Sequence, residues 1–337
     1  MKNTFFKKIV STILIGVLAL SFSACRDTSS QSGTKKEKNS EITVRIGDMP
    51  GFYPIAIAQT EGFFEEELEG LNAKVEIIEF PKGGPALTES FTAKEVDFGL
   101  LGDLPLDAAV ANGTELEIIA WGATKGEADV LVTSKDSDIN SVKDLKGKKV
   151  GVAVGQINHG ELIGLLEKNG LSVEDVELVN LAPKDILTSL ESGNIDAGMN
   201  YIEKVVTANE NGGNIRTIDT AQGLGFSNII FAGRTEFIEE NPEIAQALIK
   251  AIDKANKFAA DNKEQAIKDV YEFADGNSES AIAAAYDVYD YHVAINEEEE
   301  SNIQNVLNFA IDNSLITTKL KADDVINKKF LESAGLN

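Results

Sequence analysis

The stretch from residue 144 to residue 166 constrains the fold more than any other part of the chain. Residues 149–154 are apolar and rich in β-branched side chains, which is typical of a buried parallel strand. The segment 155–160, Gly-Gln-Ile-Asn-His-Gly, interrupts this run, and a helix with apolar periodicity follows it to residue 168. A strand, a glycine-bounded loop and a helix start bring free backbone N–H groups to one point, where an anion or a polar ligand can bind. On its own, this pattern also fits a strand-to-helix turn in any α/β protein.

The same alternation of short strands and helices runs through most of the chain. This order favours parallel sheets covered by helices on both faces, with ligands bound beyond the carboxyl ends of the strands. The pattern restarts after an extended segment near residue 133, which indicates two lobes, and it is helical almost to the end from residue 236 onward. The predicted strands are 43–46, 74–80, 98–101, 116–121, 130–133, 149–154, 176–181, 195–199, 216–218 and 229–231.

Charge and cysteine content exclude several classes of protein. The formal net charge is −24, which leaves no basic face to meet phosphates and argues against nucleic acid as a partner. Cys25 is the only cysteine, so an internal disulfide and a zinc site built from several cysteines are both excluded. The two histidines, His159 and His292, are too few for most histidine-based metal sites. We therefore expect no metal and no cofactor.

The first 25 residues have the pattern of a bacterial secretory signal. Residues 1–8 are basic, residues 9–20 are apolar, and small residues precede Cys25. The run Phe-Ser-Ala-Cys that ends there resembles a lipobox, in which the cysteine is lipidated; an ordinary secretory cleavage site is the alternative. We predict that residues 1–24 are a signal peptide, that residues 25–41 form a lipidated flexible tether, and that the body is extracytoplasmic, anchored at the outer face of the cell membrane.

Ordered motifs along the body of the chain carry a resemblance to a known family. They are Ile46-Gly47 with Pro54, Glu61-Gly62-Phe63-Phe64, Gly99-Leu100-Leu101-Gly102-Asp103-Leu104-Pro105, residues 144–150 (Asp-Leu-Lys-Gly-Lys-Lys-Val), Gly155 to His159, and Leu190-Glu191-Ser192-Gly193-Asn194-Ile195-Asp196-Ala197. With these motifs the body resembles the extracytoplasmic solute-binding proteins of ABC importers. The relevant branch is the nitrate/sulfonate/taurine branch, which also includes thiamine-pyrimidine binders.

The resemblance implies a two-lobed α/β fold of the periplasmic-binding-protein type (type II), with a ligand cleft between the lobes. Each lobe would hold a mixed, mainly parallel sheet flanked by helices, and the cleft would close by a hinge. The C-terminal helices would return to the first lobe, so that lobe 1 comprises residues 42–133 and 232–337 and lobe 2 comprises residues 134–231. The implied partners are a small-molecule solute, an ABC permease and its ATPase, and we expect a monomer.

Candidate ligand residues lie at predicted strand ends and helix starts. Backbone N–H groups after Pro85, Asp103 and Gln156 would meet an anion, with Lys82 adding positive charge. One of the carboxylates of Asp48 and Asp103 would pair with the ammonium group of a zwitterion such as taurine. In the family, alkanesulfonate binders often carry a serine where Gln156 stands. The candidates are Asp48, Lys82, Asp103, Trp121, Gln156, Asn158, His159, Asn200, Tyr201 and Asn228.

Most of these candidates also have a purely structural explanation. A solvated loop position would explain Lys82, core packing would explain Trp121, and a backbone hydrogen bond would explain His159. Position in the chain is the only argument for Asn200, Tyr201 and Asn228. Helix capping or a turn would explain four polar candidates, which are Asp48, Asp103, Gln156 and Asn158.

The leading functional interpretation is a binding protein that captures a small sulfonate or amino-sulfonate by hinge closure, without bond chemistry. A pyrimidine vitamin precursor or a nitrate-like anion is the alternative ligand. An enzyme on the same fold is a second class, which is disfavoured because the sequence has no Ser-His-Asp order, no metal cluster and no cysteine besides Cys25. A sensor that presents its ligand to a membrane receptor is a third class.

Overall fold

The computed structural model describes residues 40–336, except Pro50, Lys82 and Asp275. The predicted signal peptide, the predicted lipidation site at Cys25 and the ligand candidate Lys82 therefore lie outside the described residues. Within the described part of the chain, no helix is both long enough and apolar enough to cross a membrane.

Strands and helices alternate as far as residue 234, and helices dominate after it. The strands are β1 (Ile42–Asp48), β2 (Ala73–Glu79), β3 (Phe98–Gly102), β4 (Leu116–Thr124), β5 (Asp129–Ser134), β6 (Lys149–Val152), β7 (Glu177–Asn180), β8 (Ala197–Tyr201), β9 (Ile215–Thr220), β10 (Asn228–Arg234) and β11 (Asp290–Tyr291). The α-helices are α1 (Tyr53–Thr60), α2 (Phe63–Glu67), α3 (Gly84–Thr92), α4 (Asp103–Ala111), α5 (Ile157–Lys168), α6 (Pro183–Glu191), α7 (Ile202–Glu210), α8 (Thr235–Glu240), α9 (Pro242–Asp261), α10 (Lys263–Tyr271), α11 (Glu279–Tyr286), α12 (Glu297–Asp312), α13 (Ala322–Val325) and α14 (Lys329–Ala334). Short 3-10 helices lie at Val142–Leu145 and Val173–Asp175.

The strands form two mixed sheets. The first has the order β11-β4-β10-β3-β1-β2, in which β1, β2 and β3 are parallel and β10 runs antiparallel to both β3 and β4. The second has the order β7-β6-β8-β5-β9, in which β6, β7 and β8 are parallel and β5 runs antiparallel to both β8 and β9. In each sheet most strands point the same way, and helices pack against the sheet. The predicted fold class, with mixed and mainly parallel sheets, is confirmed.

The composition of β10 explains its central place in the first sheet. All seven of its residues are buried, and the run Ile229-Ile230-Phe231 is continuously apolar. A strand that is covered on both faces cannot alternate between apolar and polar residues, so a continuous apolar run is what such a position requires. Strand β5 is buried in the same way, apart from the partly exposed Ser134 at its end.

The apolar core is divided in the same way as the sheets. One large cluster joins the first sheet to the C-terminal helices, while two smaller clusters cover the opposite faces of the second sheet. Neighbouring residues of β5 show this division, since Val130 belongs to one of the smaller clusters and Leu131 to the other. Helix α9 packs on α1 and α2, and α14 packs on α9 and β4, so the C-terminal helices lie against the first sheet.

The chain crosses between the sheets twice. It leaves the first sheet at the end of β4, enters the second at β5, and returns after β9 to form β10, so residues 125–128 and 221–227 are the crossings. Both crossings lie a few residues before the predicted lobe boundaries at 133/134 and 231/232. The difference arises because backbone pairing assigns β5 to the second sheet and β10 to the first, which an apolar pattern alone does not reveal.

Candidate ligand-binding site

A cavity of about 380 Å³ lies between the loops that follow the parallel strands of the two sheets. From the first sheet, Met49 follows β1, Gly83 follows β2, and Gly102 ends β3. From the second sheet, Gln156 lies in the loop after β6 and Tyr201 ends β8. The carboxyl ends of parallel strands are where open α/β sheets bind their ligands, so the position of the cavity agrees with that rule.

Six helices begin at this cavity. The residues that immediately precede α1, α3, α4, α5, α6 and α7 all line it, and none of them supplies a side-chain hydrogen bond to cap its helix. The first-turn N–H groups of a helix have no partner within the helix, and the helix dipole places partial positive charge there. The N–H groups that remain free at these helix starts could donate hydrogen bonds to an anionic group in the cavity. The six residues are Phe52, Gly83, Gly102, Gln156, Ala182 and Tyr201.

The two sets of loops come together at Gly83 and Gln156. A Cβ atom built on Gly83 would lie 2.8 Å from Nε2 of Gln156, and the φ of Gly83 is +83°, a left-handed conformation that favours glycine. A glycine is therefore needed here for the loop after β2 to reach the start of α5. Gln156 does not cap α5 with its side chain, so the capping explanation that the sequence allowed does not apply to it.

A buried lysine lies beside the cavity at the first crossing. Lys125 lines the cavity, and its Nζ is 2.6 Å from Oδ1 of Asp129 and 4.3 Å from the ring centroid of Tyr201. The side chains of Lys125 and Asp129 are at most 1% exposed. Because Asp129 neutralises the ammonium group, Lys125 contributes little net charge to the cavity, but it holds the ring of Tyr201 through a cation–π contact.

Glu203 supplies an acidic group to the cavity. It is 3% exposed, and among the described residues its Oε2 atom has no hydrogen-bond partner. Burial raises the pKa of Glu203 to about 7, while the nearby Lys125 acts in the opposite direction. A Cβ on Gly51 would lie 3.2 Å from Oε1 of Glu203, so this carboxyl group reaches the loop that leads into α1. Ionised Glu203 can accept a hydrogen bond from an ammonium group, and protonated Glu203 can donate one.

The rest of the cavity wall is largely apolar. Met49, Phe52 and Phe80 come from the first sheet's loops, and Tyr289 comes from the segment before β11. Ile157, at the start of α5, closes the wall from the second sheet. An organic ligand could place its carbon skeleton here and its charged groups at the helix starts and at Glu203.

Two of the predicted ligand residues, Gln156 and Tyr201, line the cavity. Two others, Asn158 and His159, lie in the first turn of α5 but do not line it. Asn158 donates to Oε2 of Glu161 at 2.9 Å, and Nδ1 of His159 accepts from the backbone N–H of Gly155 at 3.5 Å. Burial lowers the pKa of His159.

The two predicted acidic contacts, Asp48 and Asp103, lie behind the cavity wall. Asp103 is fully buried and accepts hydrogen bonds from Nδ2 of Asn228 and the backbone N–H of Leu104, both at 2.7 Å. This arrangement also places the candidate Asn228 away from the cavity. Burial raises the pKa of both Asp48 and Asp103 to about 8.

The last two described candidates also lie outside the cavity wall. Trp121 is 0% exposed, its Nε1 donates to Oγ1 of Thr124 at 3.1 Å, and its ring stacks on His292. Nδ2 of Asn200 donates to the carbonyl oxygen of Pro183 at 3.0 Å, which positions the start of α6. For every candidate, contact with a ligand stays a prediction.

Sequence reasoning missed five charged or amide residues that line the cavity, which are Lys125, Lys184, Glu203, Lys204 and Asn277. Lys125 stands between two apolar strands, which is an unusual position for a lysine and was an available signal. Glu203 resembles an ordinary acid in the first turn of a helix, and nothing in the sequence distinguishes it. Within the described residues, no group of three or more histidine, cysteine or acidic side chains could hold a metal ion.

The raised carboxyl pKa values predict that stability falls as pH rises. Folded Asp48, Asp103 and Glu203 keep protons that the unfolded chain has released, so their contribution is present at low pH and is lost as pH rises through about 7 to 8. We expect the melting temperature to fall by at least roughly 5 °C between pH 6.5 and pH 8.5. Calorimetry on the Asp48→Asn variant should show a smaller fall in melting temperature over the same pH range. A melting temperature that is constant or rises over this range would contradict the prediction.

Comparison with known proteins identifies the family. The family described as NMT1/THI5 like matches residues 49–266, which is more than half of the chain. The chain belongs to this family. The match extends from Met49, in the loop after β1, into the first turn of α10. It includes the whole second sheet and all of the first sheet except β1 and β11. The family predicted from the sequence motifs is confirmed.

Individual proteins are also similar to this chain over most of their own length. The putative aliphatic sulfonates-binding protein of Escherichia coli K12 is 26% identical over 261 residues, which cover 77% of this chain and 77% of that protein. The taurine-binding periplasmic protein of the same organism is 27% identical over 223 residues, covering 65% of this chain and 68% of that protein. Among solved structures, the alkanesulfonate-binding protein SsuA from Xanthomonas axonopodis pv. citri, bound to MOPS, has a TM-score of 0.77 at 20% identity, covering 86% of this chain and 99% of its own. This likeness confirms the periplasmic-binding-protein-like fold.

One relative is an enzyme. The 4-amino-5-hydroxymethyl-2-methylpyrimidine phosphate synthase of Schizosaccharomyces pombe is 29% identical over 236 residues, which cover 65% of this chain and 65% of that protein. Proteins similar to this NMT1/THI5-like chain are therefore named both as binding proteins and as an enzyme.

Proposed function

We propose that this protein is the solute-binding component of an ABC importer and that it captures a sulfonate or an amino-sulfonate such as taurine. The names of its sulfonate-binding and taurine-binding relatives support this role. The observation that carries the proposal is the convergence of six helix starts on one cavity between two sheets, where the residues that precede the helices supply no side-chain caps. Ligand binding would favour the closed arrangement, which a permease and its ATPase would recognise.

The chemistry of a sulfonate suits the cavity. Its oxygens carry a permanent negative charge and accept hydrogen bonds, which the N–H of Gly84 at the start of α3 and the first-turn N–H groups of α5 can donate. Because Lys125 is paired with Asp129, we assign the recognition of the anion to these helix starts and to Gln156. The ammonium group of an amino-sulfonate would pair with Glu203, and the carbon skeleton would lie on the apolar wall.

We also propose that the mature protein is held at the outer face of the cell membrane. The periplasmic location in the name of the taurine-binding relative supports an extracytoplasmic body. The lipobox-like run that ends at Cys25 supports a lipid anchor there. Incorporation of radiolabelled palmitate that is lost in a Cys25→Ala variant would test the anchor, and equal labelling of both proteins would reject it.

The alternative ligand is a pyrimidine. Phe52, Phe80, Tyr201 and Tyr289 all line the cavity, and such rings can stack on a planar heterocycle. The pyrimidine-synthase relative makes this alternative concrete. A pyrimidine ligand needs no anionic group, so binding tests with a panel of ligands distinguish the pyrimidine alternative from the sulfonate proposal.

The decisive experiment is thermal unfolding of the purified protein with ethanesulfonate, taurine, nitrate and 4-amino-5-hydroxymethyl-2-methylpyrimidine. We expect at least one of the two sulfonates to raise the melting temperature, since a ligand at a hundred times its Kd adds about 2.7 kcal/mol. The Gln156→Trp variant, which places an indole in the cavity, should remain folded but lose this shift. A shift with the pyrimidine alone would reject the sulfonate assignment, and turnover of the pyrimidine would indicate an enzyme.

A further inference from the structure

A second, polar groove of about 710 Å³ continues from the cavity along α6 and α7. The residues of α6 that line it are Pro183, Lys184, Leu187, Thr188 and Glu191, and those of α7 are Lys204, Thr207 and Ala208. The stripe on α6 runs from Lys184 to Glu191, and seven residues of α-helix span about 10 Å. The groove ends at Asn214, in the loop after α7.

The groove and the cavity share part of their lining. Pro183, Lys184, Lys204 and Asn277 line both, so a ligand in the cavity can extend into the groove. Asn277 is 3% exposed, and among the described residues its Oδ1 atom has no hydrogen-bond partner. A buried amide oxygen without a partner costs free energy, so this atom at the junction favours a ligand that carries a hydrogen-bond donor.

The side of the groove next to Asn277 is fixed in place. The backbone N–H of Ser278 donates to Oγ1 of Thr207 at 3.1 Å, and Ser280 donates to Glu210, so the start of α11 is attached to α7. Hydrogen bonds from Ser278 and Ser280 lower the pKa of Glu210, which keeps its carboxylate ionised as an acceptor. The groove is therefore a formed feature of the fold and not a gap between mobile segments.

The groove differs from the cavity in its chemistry. Much of the cavity wall is apolar, whereas the groove carries several hydroxyl and amide groups. It is also lined by the charged side chains of Lys184, Glu191 and Lys204 and by the apolar side chains of Leu187 and Ala208. Asn211 uses its Nδ2 on the backbone oxygen of Thr207, which leaves its Oδ1 as an acceptor, and Thr188 contributes a hydroxyl that can donate or accept. These hydroxyl and amide groups can form hydrogen bonds with hydroxyl groups on a ligand but not with an alkyl chain. The neutral polar residues that line it are Ser134, Thr188, Thr207, Asn211, Asn214 and Asn277.

We infer that the groove is an extension of the binding site, and that the ligand class it selects is a sulfonate with a hydroxylated carbon chain. The sulfonate would bind at the helix starts in the cavity, as in the proposed function on which this inference rests. The chain would pass Asn277 and place its hydroxyl groups between α6 and α7. An alkyl chain of equal length would have to displace water from polar groups without replacing their hydrogen bonds.

Isothermal titration calorimetry with a matched pair of ligands tests this inference. The pair is hexane-1-sulfonate and a 6-deoxy-6-sulfohexitol, which have the same chain length and differ in their hydroxyl groups. We expect the hydroxylated ligand to bind the full-length protein at least about tenfold more tightly. In a Thr188→Val/Asn211→Ala variant, this preference should fall below about threefold.

Two controls make the result specific. Ser189→Ala lies on α6 outside the groove and should keep the full preference. The affinity for ethanesulfonate, which has no hydroxyl groups, should be unchanged in the double variant and would show that the cavity is intact. Equal or tighter binding of hexane-1-sulfonate, or a preference that survives the double substitution, would overturn the inference while leaving the proposed function standing. Failure of every sulfonate to bind would reject both.

Discussion

Replacing Lys125 with methionine will lower the free energy of unfolding by about 3–5 kcal/mol. Methionine has a similar length but no charge, so the substitution removes the ammonium group that lies 2.6 Å from Asp129. Two buried carboxyl groups, those of Asp129 and Glu161, are then left side by side. Burial and the nearby Asp129 already raise the pKa of Glu161 well above its usual range, and the loss of Lys125 removes the cation that opposes this effect. Equilibrium unfolding in urea measures the change.

A surface pair provides the matched control for this prediction. Lys146 lies 2.9 Å from Asp175, but its side chain is 72% exposed, so Lys146→Met should cost less than about 1 kcal/mol. The double variant Lys125→Met/Asp129→Asn should recover part of the lost stability, because it removes the unpaired charge as well. If Lys125→Met costs no more than the surface control, the buried pair does not stabilise the first crossing.

Replacing Glu203 with glutamine will reverse the discrimination between taurine and ethanesulfonate. In the native protein the ammonium group of taurine would pair with the ionised carboxylate, which predominates above pH 7 because the pKa of Glu203 is about 7. Glutamine keeps the shape but cannot offer a negative charge, so taurine affinity should fall at least about tenfold. Ethanesulfonate affinity should rise, since a buried carboxylate repels a simple anion. Calorimetric titration at pH 8 measures both affinities.

The pH dependence of binding separates this role from a merely structural one. Native taurine affinity should rise between pH 6 and pH 8, while that of the Glu203→Gln variant should stay level. Glu167→Gln changes an exposed acid on α5 and should leave both affinities and their pH dependence unchanged. Equal taurine affinities in the native protein and the Glu203→Gln variant would show that Glu203 does not contact the ammonium group.

The fold could be predicted because its strands are buried on both faces. Continuous apolar runs such as residues 229–231 mark such strands without reference to any neighbour. The predicted boundary between β6 and α5 was less accurate, since the sequence analysis placed residues 155–160 before the helix and α5 begins at Ile157. Glycine at position 160 looks like a helix breaker, but it lies within α5, where a Cβ would make an ordinary contact with Leu104 of α4. Contacts of this kind between distant segments are not visible in a local pattern.

The site could be predicted only in part. Gln156 and Tyr201 were found because they stand at the end of a strand or at the start of a helix, and position alone brings them to the cavity. Asp103 has the same kind of position, but its carboxyl group accepts a hydrogen bond from Asn228, a residue that is far away in the sequence. Glu203 was missed because it looks like an exposed acid in the sequence, whereas the loop before α1 packs over it and buries it at the cavity. Whether a polar residue faces a cavity depends on which other segment of the chain packs against it. A single sequence does not reveal which segment that is.

The place of β10 between β3 and β4 has a consequence for how the chain folds as it emerges. All strands of the second sheet come from residues 129–220, one uninterrupted segment, so that sheet can form as soon as β9 is available. By contrast, among the described strands those that pair with β4 are β10 and β11, which both come later in the chain. During synthesis, which proceeds from the N-terminus, the chain can therefore complete the second sheet before the first. During that interval the apolar faces of β3 and β4 are open, and a chaperone that holds this protein should bind there.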